Sequence, residues 1–107
     1  MAWIYLLLAA AFEVQWAVTM KYTQGFTRLW PSLACVAGMA VSVWLLALAQ
    51  RTLPVGTSYA VWTGLGAVGT AICGMFLFNE SRELARVLCI LLIVSGVLGL
   101  GLLSRNG

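Results

Sequence analysis

Apolar residues fill four long runs in this chain, and polar residues gather in the three short breaks between them. The runs are Ala2–Met20, Leu29–Gln50, Leu53–Phe78 and Val87–Ser104. Each reaches the ~20 residues with which an α-helix crosses the hydrocarbon core of a bilayer. The breaks are Lys21–Arg28 with Gly25, then Arg51–Pro54, then the charge-rich Asn79–Arg86. Pro31 and Pro54 fall where helices begin, and a residue in the first turn has no use for its N–H. The pattern predicts an all-α membrane protein with a single four-helix transmembrane domain over 1–107, its helices at about 2–21, 31–50, 54–78 and 84–104. Such short loops make neighbouring helices antiparallel and predict a compact four-helix unit.

Composition narrows the classes. At 63% hydrophobic and 8% charged, with mean hydropathy +1.01, the 107 residues suit a bilayer and leave room for one domain. The first run lacks a basic leader and a cleavage site and carries Glu13 in its core, so it reads as a span rather than a secretory signal. The net charge of +3 comes from scattered basic residues near the ends of runs, an interfacial pattern and not a nucleic-acid patch. Cys35, Cys73 and Cys89 lie inside apolar runs, and the chain has no His. Neither a metal site nor a disulfide framework is expected, and no nucleophile–base arrangement suggests an enzyme or a cofactor.

Against this background one residue stands out. Glu13 is the only charged side chain between Met1 and Met20, and it sits near the middle of its run. A carboxylate at bilayer depth is costly, so intramembrane acids usually line a cavity, bind a cation or carry a proton. A hydrogen bond to a neighbouring helix is the structural alternative. On a helical wheel Leu6, Ala9, Ala10, Trp16, Ala17 and Met20 share its face, and the three alanines leave space for a small ligand. Trp16 lies deeper than interfacial aromatic belts do; its ring can face a cation and its N–H can donate. Gln15 projects nearly opposite, too polar for lipid, and is expected to bond to another helix.

Two further helices carry polar stripes. Ser42 shares a face with Cys35, Gly38 and Ala49, although a membrane serine often bonds to its own backbone. Tyr59, Trp62, Thr63, Gly66, Thr70 and Cys73 align on the third helix, as a cation pathway or as plain packing. Gly64 and Gly66 ease either bending or close approach. On the fourth helix Ser95, Gly96 and Gly99 offer a dimerisation face, with packing inside one copy as the alternative. So little helix leaves scant room for a pathway within one copy. Lys21, Arg28, Arg82 and Arg86 lie on one side of the membrane, against Arg51, Arg105 and the N-terminal amine. That near-balance permits insertion in both orientations.

The stretch Glu13-Val-Gln-Trp16-Ala17, the pairs Lys21-Tyr22 and Pro31-Ser32, the run Gly25-Phe26-Thr27-Arg28, and Leu53-Pro54-Val-Gly56-Thr57-Ser-Tyr59-Ala60-Val-Trp62-Thr63-Gly64-Leu-Gly66 together resemble the small multidrug resistance family. The likeness covers essentially the whole chain. Trp16, Ser42 and Trp62-Thr63-Gly64 look like its guanidinium-exporter branch. The resemblance implies an antiparallel, dual-topology homodimer in the bacterial inner membrane that exchanges protons for guanidinium-type cations, with both copies of Glu13 in one central site. It further implies that Trp16 and Ser42 hold and orient the carboxylate and that Tyr59 and Trp62 line or gate the site. Thr63, Gly38 and Ala10 are further candidate lining positions, and Gly64 and Gly66 fall at the family's third-helix bend. Ala10 where Gly is usual, Gln15 for an aliphatic residue, and Phe26–Ser32 depart toward the drug-exporter branch.

Guanidinium suits a carboxylate because it can give two parallel N–H bonds, whereas a quaternary ammonium offers no donor and relies on aromatic faces. Three rivals remain at this level: a multidrug cation/proton antiporter, a small structural or regulatory membrane subunit, and one half of a heteromeric pair.

Overall fold

The computed structural model describes residues 2–105, with side chains through 103. The N-terminal amine and the Arg105 side chain lie outside the described residues, and with them part of the charge count across the membrane. The elements run α1 Ala2–Tyr22, α2 Leu29–Ala49, α3 Val55–Leu77 and α4 Leu84–Arg105. All four are long and apolar enough to cross a membrane. Twenty-one residues of helix make about 32 Å, close to the ~30 Å of a hydrocarbon core.

The breaks close through local bonds. Before α2, Arg28 is extended and Leu29 is already helical, so Pro31 stands inside the first turn. Pro54 occupies the residue before α3, where its ring fixes the entry. Between α1 and α2, Gln24, Gly25 and Phe26 all take left-handed backbone, with φ of 49°, 75° and 65°. That conformation is costly for residues bearing a Cβ. Buried Thr23 holds it: its hydroxyl donates to Met20 O at 2.7 Å and accepts from Phe26 N at 3.1 Å, and its carbonyl accepts the Thr27 and Arg28 N–H groups. After α3, Asn79 turns left-handed and Glu80 N donates back to Gly74 O.

Packing departs from the expected compact unit. The molecule measures 45 × 34 × 16 Å, with α1, α2 and α3 meeting in one cluster and α4 standing outside it. α1 packs against both α2 and α3, while the backbone of α4 approaches α3 alone. No described residue of α4 is buried. The reason is chemical: lipid tails solvate an apolar helix as well as protein does, so nothing drives α4 to close a bundle.

The core forms at the end of the helices near Gln50–Pro54. Leu6 and Ala9 of α1, Leu45, Leu46 and Ala49 of α2, and Val61 of α3 meet there. Toward the opposite end α1 and α3 diverge around a cleft.

Candidate functional site

The cleft between α1 and α3 encloses ≈ 470 Å³. Glu13, Ala17 and Lys21 line it from α1; Thr63, Gly66, Ala67, Thr70, Ala71 and Gly74 line it from α3; Phe78, Glu80 and Arg86 form its mouth. Small residues at these positions make the space; of the three alanines expected to leave room beside Glu13, only Ala17 lines it, and Ala9 and Ala10 are buried.

Glu13 lies directly on the α3 backbone at Gly66, where an added Cβ would run into its carboxylate. Its Oε1 is buried and receives no hydrogen bond from any described residue. Trp16 Nε1 on the same helix is likewise buried and donates to none. Buried polar atoms are nearly always partnered. An acceptor and a donor are thus left over on one face of α1, the first able to take up a proton or a cationic N–H and the second able to donate to an acceptor.

The polar groups nearer the core are fully used. Ser42 Oγ donates to Ala9 O at 2.6 Å and accepts from Trp62 Nε1 at 2.9 Å, tying α2 to α1 and α3 at one atom. It neither bonds to its own helix nor reaches Glu13 within the protomer. Tyr59 and Trp62 form an aromatic pair with ring centroids 5.7 Å apart, and Tyr59 is 56% exposed. Gln15 clamps α1 to α2: its amide donates to Thr19 Oγ1 and Ala34 O, and its carbonyl oxygen rests on Gly38.

Of the residues singled out from the sequence, the cleft gathers Glu13, Ala17, Thr63, Gly66 and Thr70, and not Trp16, Ser42, Tyr59 or Trp62. Ala10 is buried beside the core, and Gly38 faces Gln15 rather than the cleft. α3 runs as one uninterrupted helix from Val55 to Leu77. Gly64 and Gly66 serve close approach, Gly64 under Val97 and Ile93 of α4 and Gly66 under Glu13. Gly96 and Gly99 have no neighbour within 4 Å of a built Cβ, and Ser95, also exposed, bonds back to Leu91 O. Gly74 and Glu80 escaped the sequence reading. The signal was there: Gly74 sits eight residues beyond Gly66, hence on the same helical face.

The Small Multidrug Resistance protein family model matches residues 1–93. The chain is 58% identical over 102 residues to a protein named guanidinium exporter from Citrobacter freundii, an alignment covering 95% of this chain and 97% of that one. It is 56% identical over 104 residues to a guanidinium exporter from Yersinia pseudotuberculosis, covering 97% and 100%. A guanidinium exporter from Salmonella typhimurium is 55% identical over 102 residues, covering 95% and 97%.

Proposed function

This chain belongs to the small multidrug resistance protein family, and from that and its site we infer that it exports guanidinium and small substituted guanidinium cations in exchange for protons. It is a multi-pass protein of the bacterial inner membrane, working as one four-helix transmembrane domain per copy. One observation carries the reading: the buried Glu13 Oε1 that no described residue satisfies, seated in a cleft. A carboxylate so placed can be completed by a proton or by a cationic N–H donor, and the two exclude each other. That exclusion is the exchange. Guanidinium, planar and always charged, supplies two parallel donors to one carboxylate.

No described residue of α4 is buried and the Glu13 cleft opens at the surface of the protomer, so a second copy can cover both. An antiparallel homodimer brings two Glu13 carboxylates together, with Ser95, Gly96 and Gly99 of α4 free for close helix contact. The partner copy also supplies an acceptor for Trp16 Nε1. Ser42 acts at one remove, fixing Trp62, with Tyr59 and Trp62 closing the site. Nothing in this scheme makes or breaks a covalent bond in the cation, so the protein is not an enzyme.

In an antiparallel pair the inward and outward states are one structure with the protomers exchanged, so direction comes from the gradients. The decisive measurement is guanidinium uptake into proteoliposomes under an outward proton gradient. Glu13→Gln is expected to abolish uptake while reconstituting normally, and wild-type guanidinium binding is expected to weaken as pH falls. Equal uptake by the variant, or binding indifferent to pH, overturns the assignment.

A further inference from the structure

The mouth of the cleft holds a second carboxylate, seated as Glu13 is. Glu80 lies on the α3 backbone at Gly74, where an added Cβ would strike its carboxylate. Gly66 and Gly74 are two turns apart on one face, about 12 Å along the helix. Thr70 stands between them in the same cleft. The occupant of Glu80 is informative: Arg86 Nη2 donates to Glu80 Oε1 at 2.9 Å, and this pair is the only salt bridge among the described residues. Arg86 ends in a guanidinium, the same donor set as the exported cation. Both partners remain about one-third exposed, at 35% and 39%, so the pair is weak enough to exchange. The other cations nearby are engaged elsewhere. Lys21 Nζ sits over the Phe78 ring, 4.8 Å from its centroid. Arg82 donates to Met75 O and lies over Phe76.

We propose that Glu80 is an outer guanidinium station at the cleft mouth, held by the side chain of Arg86 until a substrate guanidinium displaces it on its way to or from Glu13. The inference rests on the guanidinium reading of the Glu13 site. Arg86 is then a tethered competitor for substrate. Because it must be displaced before the station is used, its removal favours substrate, whereas removal of Glu80 disfavours it.

The test is the KM for guanidinium uptake in proteoliposomes, for wild type, Glu80→Gln, Arg86→Gln, Arg86→Lys and Lys21→Gln, with Glu13→Gln as the blank. Glu80→Gln is expected to raise KM about threefold, the scale of a part-exposed ion pair. Arg86→Gln is expected to lower it by a similar factor. Arg86→Lys keeps the charge but loses the planar fork, and is expected to lower KM in the same direction; it carries the test if a charge-removing variant does not fold. If Glu80→Gln and Arg86→Gln both raise KM, the pair is a structural staple and the proposal fails. It fails equally if Arg86→Lys matches wild type while Lys21→Gln reproduces Arg86→Gln, since charge alone then explains the shifts. In both cases Glu13-dependent uptake survives. Uptake independent of Glu13 instead sinks the underlying reading, and the outer station with it.

Discussion

The two ends of α3 are built by opposite rules. Near Gln50–Pro54, Val61 packs into an apolar cluster, and Ser42 uses its hydroxyl twice, toward Ala9 and toward Trp62. Toward Phe78 the same helix presents Gly66, Thr70 and Gly74 to a cleft, with a carboxylate on each glycine. One end satisfies its polar atoms within the protomer; the other leaves Glu13 Oε1 and Trp16 Nε1 without a partner among the described residues. The first arrangement holds helices together. The second leaves polar atoms open beside a cleft.

Substitutions that respect or violate this division should separate function from stability. The largest effect is expected from Gly66→Ala, whose methyl group takes the place of the Glu13 carboxylate and pushes it off its seat. A displaced carboxylate loses the paired N–H geometry, so guanidinium binding should drop about tenfold or more, an amount equal to one good charge-assisted hydrogen bond. Calorimetric titration of the reconstituted variant checks it. A smaller and different effect is expected at the packed end. Ser42→Ala removes two hydrogen bonds and strands Trp62 Nε1, costing about 1–2 kcal/mol of stability with a secondary loss of guanidinium affinity. Unfolding in detergent, read beside the titration, distinguishes the two losses. The smallest is expected for Gln15→Leu. Its contacts tie α1 to α2 away from the cleft, and buried polar contacts in membranes average about 0.6 kcal/mol. Stability should fall by about that much with the guanidinium KM unchanged; a shifted KM would mean that Gln15 tunes the site.

The four spans and the mid-membrane acid were legible because both follow from one-dimensional facts, run length and the cost of charge in hydrocarbon. The face shared by Glu13 and Ala17 followed from helical spacing, and so did the stripe Thr63–Gly66–Thr70. What spacing alone could not supply was which face meets which helix. Ser42 had a plausible bond to its own backbone, and only the approach of α1 offers it Ala9 O instead. Gly38 looked like a lining position until Gln15 was seen resting on it. The outlying position of α4 was also hidden, since hydropathy reports compatibility with lipid and not whether lipid or protein is the neighbour. Glu80 was hidden for a third reason: it sits in a break rich in charge, where a carboxylate draws no notice until a glycine two turns from Gly66 is found beneath it.

The backbone of α4 approaches that of α3 alone, and that arrangement has a mechanical consequence. α3 forms one wall of the cleft and is also the mount on which α4 rides, with Val97 and Ile93 keyed over Gly64. Any swing of α3 that widens or narrows the gap beside Glu13 must carry α4 like a boom on its mast. Movement beside the acid would therefore reach the outermost helix through a contact already present, at Gly64.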